Sequence, residues 1–306
     1  MPANYPEIWL DRVIENVSRN VAATFLEGIP ELDVKVVTIN EGKPTEKNKM
    51  YVAATDFEVE ILINNTTYDL DVQEYDDDTI EITLDKYQSL PTGLSDDDAM
   101  GSSYSKIDTV TRAHTNGMVA KKSVKAIHSI APAENTATTP VLLATGGAEG
   151  LTDPSGRKRL TYDDLVEAKS RADKAGFGDT GIRRLVLCDD HWNDLLLDRK
   201  NFGNQLVDYA AGKPNPKIAG FELHQYAGNP TYGSDNKKKP YGAIPVSGDK
   251  TASVFFVVGA IAKKTGDTKQ YYSSAANSPR TQASELSYRH YFVVVPFQNK
   301  KIGAIL

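Results

Sequence analysis

The sequence lacks the features that are typical of secreted, membrane-spanning or nucleic-acid-binding proteins. Cys188 is the one cysteine among 306 residues, so no disulfide can form within the chain. The longest apolar stretches, such as residues 254–262, are far shorter than the ~20 residues that span a bilayer, and the first residues lack the pattern of a secretory signal. The formal net charge of -6 provides no excess of positive charge for binding phosphates. We therefore expect a protein with no role in a membrane and no sequence-specific contact with nucleic acid.

Catalytic and metal-binding patterns are also scarce. Cys188 and His191 are three positions apart and could form a thiolate–imidazolium pair. They lie, however, where a strand is expected to pass into a helix, and there the two aspartates between them can cap the start of the helix. Free cysteine is, in addition, commonly a buried small apolar residue. His114 and His128 share a predicted helix but are too far apart for a metal-binding pair. We expect no catalytic, cofactor-binding or metal-binding residues, and hence no enzyme.

The first part of the chain contains one helical and two extended patterns. Residues 7–26 carry apolar side chains near one helical face, which predicts a short helix that ends before Gly28 and Pro30. Apolar and polar residues then alternate in residues 57–63 and 80–84, which predicts two half-buried strands of an extended ribbon. Because an isolated two-stranded ribbon is barely stable in water, we expect it to pack on a partner, with a neighbouring subunit as one candidate.

A long helix and an α/β pattern follow. Residues 102–130 contain no proline and place apolar side chains three or four positions apart, which predicts a helix about 40 Å long. After a connection over residues 131–150, Thr161 and Asp164 resemble a capping box that opens a second helix. Further strands are predicted at residues 182–188, 218–226, 253–262, 288–296 and 302–306.

Three charged runs stand out. Residues 76–78 and 96–98 are consecutive aspartates. Their negative charges would repel the same run on a neighbouring subunit unless cations or basic side chains neutralise them. We hypothesise that one of these acidic runs pairs with a basic patch on an adjacent subunit, the alternative being a solvated loop. The basic run Lys237–Lys239 lies in a loop rich in lysine, glycine and proline, and we interpret it as solvated and poorly ordered rather than as a phosphate contact.

The order of these segments resembles that of the major capsid proteins of tailed bacteriophages, with the Hong Kong ninety-seven type coat fold. The resemblance covers nearly the whole chain, although none of its segments is an invariant chemical motif. The segments that carry it are residues 79–87, 161–175, 184–188, 191–195, 218–223, 229–230 and 288–295.

The resemblance implies an α+β fold built from four parts. These are an N-terminal arm (residues 1–33), an extended β-hairpin loop (34–90), a peripheral domain with the long spine helix (91–131 and 285–306) and an α/β axial domain (132–284). It also implies a structural protein of the virion, made in the bacterial cytoplasm. Copies of such a protein self-assemble into the hexamers and pentamers of an icosahedral head around double-stranded DNA.

The resemblance implies further partners as well. These are a portal, a decoration protein in some members, and either a separate scaffolding protein or an arm that has already been processed. Two other classes of protein stay open at this point. One is an encapsulin-like shell of a cytosolic compartment, whose subunits resemble phage coat proteins, and the other is a cytosolic α/β enzyme.

Overall fold

The structure, a computed structural model, forms two compact units. Residues 32–85 make up the smaller unit, and residues 1–31 with 86–306 make up the main unit. The residues that the structure describes are 23–33, 37–39, 47–54, 59–66, 68–69, 72–73, 78–95, 106–178, 181–197, 207–208, 213–214, 217–278 and 280–306.

The described residues contain helices in the main unit only. The α-helices are α1 (Lys106–Ile130), α2 (Tyr162–Lys174) and α3 (Asp189–Leu197). Short 3-10 helices span Thr24–Leu26, Val258–Ala260, Ala275–Asn277 and Phe297–Asn299. Within the described residues, none of the helices combines the length and apolar character that crossing a bilayer requires.

Strands occur in both units. In chain order they are β1 (Val37–Ile39), β2 (Lys47–Ala54), β3 (Asp78–Thr83), β4 (Asp85–Gln88), β5 (Thr92–Ser95), β6 (Val141–Leu142), β7 (Arg183–Leu187), β8 (Val207–Asp208), β9 (Lys213–Pro214), β10 (Lys217–Ile218), β11 (Phe221–Gln225), β12 (Thr231–Tyr232), β13 (Lys250–Thr251), β14 (Ser253–Val257), β15 (Ile261–Ser273), β16 (Ala283–Pro296) and β17 (Ile302–Ile305). The mixture of helices and sheets confirms the α+β class expected from the sequence.

The smaller unit contains an antiparallel sheet in the order β1-β2-β3. Its register sets Met50 opposite Ile82, and both side chains are buried. The strand predicted at residues 80–84 is therefore confirmed, but its partner is β2 and not residues 57–63. The described part of that segment, residues 59–63, is not in a strand and its side chains are exposed. Alternation alone cannot identify which segment supplies the backbone partner, because pairing depends on residues distant along the chain.

A six-stranded mixed sheet forms the centre of the main unit, in the order β10-β11-β7-β14-β17-β6. Strand β7 runs parallel to β11 and antiparallel to β14, and every residue of β7 and β14 is buried. Burial on both faces explains why Leu185–Leu187 of β7 and Val254–Val257 of β14 are apolar without alternation.

Each face of this sheet has its own apolar core. On one face, Leu165 and Ala172 of α2 and Leu195 of α3 join the cluster that contains Leu187 and Phe255. The opposite face packs against the end of α1 and the segment 23–31, through side chains that are almost fully buried. This second cluster includes Phe25, Ile29, Ile127, Ile130, Val186, Val254 and Phe256.

Helix α2 begins and ends as its sequence predicts. Thr161 and Asp164 form a reciprocal capping box, in which the Thr161 amide donates to Asp164 Oδ2 at 2.9 Å. Gly176 follows the helix with a φ of +75°, a left-handed conformation that glycine adopts at little cost. The Phe177 amide then donates to the Ala172 carbonyl at 3.1 Å, which completes the end of the helix.

The second large sheet has the order β15-β16-β4, and β5 also pairs with β16. Helix α1 packs on it through Met118, which contacts Leu286 and Tyr288 of β16. The single strand predicted at residues 253–262 is in fact β14 and the start of β15, which belong to different sheets. The 3-10 turn Val258–Ala260 separates them, and it is apolar like its flanks, so the sequence pattern does not show the break.

Candidate assembly surfaces

The most exposed apolar side chains of the smaller unit lie between residues 59 and 72. Ile61, Ile63 and Val72 expose 80%, 83% and 90% of their surface. All the members of this group, which we call the apolar segment, are more than half exposed: Val59, Ile61, Leu62, Ile63, Tyr68 and Val72. Single exposed apolar residues are ordinary, but a run of large ones marks a surface that another molecule covers. The apolar segment is therefore a candidate interface.

A second exposed apolar surface is the tip of the loop between β12 and β13. Ile244 and Val246 are 83% and 61% exposed. The loop is closed beneath them, because the Val246 amide donates to Asp249 Oδ2 at 2.7 Å and Asp249 also forms an ion pair with Lys239. The exposed apolar side chains of the tip therefore lie on a turn that this hydrogen bond and ion pair stabilise.

The segment 23–31 is anchored deep in the main unit. Arg184, buried in β7, donates from Nη1 to the carbonyl oxygens of Phe25, at 3.0 Å, and Glu27. The Lys263 amide donates to the Pro30 carbonyl at 3.1 Å. The helix predicted over residues 7–26 lies outside the described residues up to residue 22. Thr24–Leu26 form a 3-10 turn in which Phe25 and Leu26 are buried. The hydrogen bonds from Arg184 and Lys263 hold residues 25–30 against the two large sheets.

The loop that follows β12 holds the carboxyl end of α1. Lys238 Nζ donates to the carbonyl oxygens of His128, at 2.9 Å, and Ala131. Burial lowers the pKa of Lys238 to about 8. Lys237 pairs with Glu134 at 2.7 Å. Lys237 is solvated, as predicted, with a side chain 61% exposed. Lys238 and Lys239 depart from the prediction, because Lys238 binds the end of the helix and Lys239 forms an ion pair with Asp249.

Cys188 and His191 do not form a thiolate–imidazolium pair. The Ser253 hydroxyl lies between them, 2.7 Å from His191 Nδ1 and 3.7 Å from Cys188 Sγ. All three residues are at least 97% buried. Burial raises the pKa of the Cys188 thiol, and burial together with Arg157 lowers the pKa of His191 to about 4. The thiol and the imidazole are therefore both neutral near pH 7, and the cluster is a buried hydrogen-bonded network.

Sequence reasoning missed Arg184 and Lys238 as anchors. The one signal for Arg184 is a pair of arginines, Arg183 and Arg184, at the start of a fully buried strand, where charged residues are expected only if they find buried partners. No local signal identifies Lys238, because its partners lie 107 and 110 positions away. Both acidic runs fall outside the described residues, except Asp78 at the start of β3.

Comparison with known structures shows the same fold in capsids. The capsid of the cyanophage P-SCSP1u aligns over 91% of this chain and 90% of its own, with a TM-score of 0.62 and 13% sequence identity. The capsid of a native GTA particle aligns over 94% and 90%, with a TM-score of 0.61 and 11% identity. A virus-like particle from Pyrococcus furiosus aligns over 99% and 100%, with a TM-score of 0.55 and 10% identity. These likenesses establish the fold.

The sequence itself carries the family assignment. A comparison with curated proteins finds no match. The profile of the family described as phage capsid protein, in contrast, matches residues 77–305, which is most of the chain and includes both large sheets and all three described α-helices. The chain therefore belongs to the phage capsid protein family, as a major capsid protein of the tailed-phage type.

Proposed function

We propose that copies of this chain assemble into the hexamers and pentamers of an icosahedral phage head that encloses double-stranded DNA. The observation that supports this most directly is the exposed apolar segment. Fully burying one isoleucine side chain contributes about 1.5–3 kcal/mol, before the cost of ordering the groups involved. A second copy of the chain is the partner present in greatest number in a shell, and we propose that it covers Ile61 and Ile63.

We propose the same arrangement of parts that the resemblance implies, with residues 1–33 as arm and 34–90 as extended loop. The sheet pairings support one change to the expected bounds. Strand β17 pairs with β14 and β6, so it would join the axial domain, whereas β15 pairs with β16 and would join the peripheral domain with the spine helix α1.

Further partners follow from the same proposal. We expect a scaffolding protein that guides assembly, a portal at one vertex, and a decoration protein where the shell needs reinforcement. Contact with the enclosed DNA would be independent of its sequence, since the net charge of -6 offers no broad basic surface. Synthesis would take place in the bacterial cytoplasm and the finished protein would reside in the virion.

The two alternatives from the sequence have less support. An encapsulin-like compartment shell would share the fold, but the matching family is one of phage capsid proteins. A terminase and a portal encoded beside this chain would agree with the proposal, whereas a cargo peroxidase or ferritin-like protein would contradict it. The enzyme alternative loses its strongest candidate site, because Cys188 and His191 are buried and neutral.

Electron microscopy of the protein expressed in bacteria, with and without its genomic neighbours, tests the proposal. We expect closed icosahedral shells under at least one of these conditions.

The double variant Ile61→Asn, Ile63→Asn should fold, as judged by circular dichroism, and yield few or no shells. A matched control is Val166→Asn, which changes an apolar side chain of α2 that is 44% exposed. Normal shells from the double variant would contradict the role of the apolar segment.

A further inference from the structure

The contact between α1 and the β15–β16 ribbon is apolar at its two ends and polar in the middle. At one end Val110 and Met118 pack with Tyr272 and Leu286. At the other end Ile127 and Ile130 share a cluster with Phe292 and Val294. Between these ends the ribbon carries the polar residues Thr268, Gln270, Tyr288 and His290, which we call the seam. Thr111 and Thr115 of α1 are buried within the first end, between Val110 and Met118.

Several buried polar atoms of the seam lack a hydrogen-bond partner among the described residues. They are both atoms of the Gln270 amide group and Nε2 of His290. The other ring nitrogen of His290, Nδ1, forms a hydrogen bond with Thr268 Oγ1 at 2.8 Å. The Tyr288 hydroxyl is buried and has no partner with hydrogen-bond geometry among the described residues. Burial raises the pKa of Tyr288, and the nearby Thr111 side chain partly offsets that effect.

Buried polar groups in folded proteins almost always find a partner, because an unmade hydrogen bond carries the full cost of desolvation. The amide group of Gln270 offers two donors and two acceptor lone pairs, which is an unusually large demand for one buried side chain. His290 is neutral near pH 7, since burial and the nearby Lys122 lower its pKa to about 4. In the neutral ring one nitrogen donates and the other accepts, so Nε2 can form one further hydrogen bond with a neutral ligand.

The register between β15 and β16 sets Gln270 and His290 as diagonal neighbours on the same face of the ribbon. Gln270 is directly opposite Tyr288, and Thr268 is opposite His290 one step along the same face. Diagonal neighbours of this kind lie about 7–8 Å apart on a sheet, which long side chains can span with one molecule between them. A water molecule can bridge two polar side chains with a hydrogen bond of about 2.8 Å to each, and it is retained where it has two to four polar partners.

We propose that ordered water molecules bind in the seam and bridge the Gln270 amide group to Nε2 of His290. The water then links β15 to β16 through their side chains, on the face of the ribbon whose two ends pack against α1. The site belongs to the main unit alone, so it goes beyond the proposed function and does not depend on assembly.

A map of the protein at a resolution that shows water tests the proposal directly. We expect density for at least one water molecule within hydrogen-bonding distance of both the Gln270 amide group and His290 Nε2. A side chain from residues 96–105 at that position, a direct hydrogen bond between Gln270 and His290, or a dry gap would overturn it.

The Tm of Gln270→Met provides an independent test, because a hydrated seam and a dry seam predict different changes. If water is bound, the variant loses the hydrogen bonds that hold it and Tm falls by about 2–4 °C. If the seam is dry, removal of an unsatisfied amide group leaves Tm unchanged or raises it, and the proposal fails. Gln88→Met makes the same change at an exposed site of β4 and should shift Tm by less than about 1 °C. Gln270→Leu, which also removes the amide group, repeats the test should Gln270→Met fail to fold.

Discussion

The ammonium group of Lys238 donates a hydrogen bond to the carbonyl oxygen of His128, 2.9 Å away, near the point where α1 ends. A second hydrogen bond runs to the carbonyl of Ala131. The last carbonyl groups of a helix have no partner within it, so a lysine that reaches them satisfies them and complements the helix dipole. A loop 110 positions away along the chain thereby secures the end of the longest helix described.

Replacing Lys238 with methionine should change how stability depends on pH. Burial lowers the pKa of Lys238 from 10.5 to about 8, so between these values the unfolded chain binds more protons than the folded one. The free energy of unfolding therefore rises with pH across this window in the wild type. Urea unfolding at several pH values should show that rise to be smaller in Lys238→Met.

The neighbouring Lys237 provides the control for this experiment. Its pKa is raised by the hydrogen bond to Glu134, which is the opposite direction. Lys237→Met should therefore retain the rise in stability between pH 8 and 10.5. Identical pH profiles for the wild type and Lys238→Met would show that folding does not lower the pKa of Lys238.

Gly303→Ala should destabilise the six-stranded sheet. A Cβ atom at Gly303 would lie 2.1 Å from Cζ of Phe255, its partner in the register between β17 and β14. Because Phe255 is itself fully buried, the ring has no free space, and we expect a loss of about 1–3 kcal/mol in the free energy of unfolding. Chemical denaturation measures this loss. Gly93→Ala, in β5 with no atom near its Cβ position, should be almost neutral, and equal effects at both sites would refute the packing argument.

Arg184→Met should release the segment 23–31. The change removes the donors to the carbonyls of Phe25 and Glu27 and leaves buried acceptors unsatisfied, at a cost of about 1–3 kcal/mol. Hydrogen–deuterium exchange should become faster in residues 24–31 and stay unchanged in α2. Arg171→Met, which removes an exposed ion pair with Glu167, is the matched control. Unchanged exchange in residues 24–31 would mean that apolar packing alone holds the segment.

Neutralising one of the two acidic runs should reduce assembly. We expect that asparagine at residues 76–78 or at residues 96–98 removes ion pairs with a neighbouring subunit. Exposed charges are screened over about 10 Å at 0.1 M salt, so the affected variant should also lose part of the salt dependence of its assembly. Sedimentation of shells across a range of salt concentrations measures both quantities, and the two variants are controls for each other. Wild-type assembly and salt response in both would eliminate the hypothesis.

Local elements could be predicted well. Helix α1 was expected at residues 102–130 and is described over Lys106–Ile130, while the capping box at Thr161 sets the start of α2. These features depend on the spacing of side chains within one element, which the sequence displays directly. The strand predicted at residues 57–63 is not found in its described part, residues 59–63, because alternation is a property of one segment, whereas a strand requires a partner.

The sequence by itself determined the helices, most of the strands and the resemblance of their order to a phage coat protein, because each element is encoded by nearby residues. Only the tertiary structure decided which strands pair, where β14 ends and β15 begins, and what Arg184 and Lys238 hold. The physical reason is that hydrogen bonds and packing between distant segments depend on where the backbone brings them in space. Local periodicity contains no record of those distances.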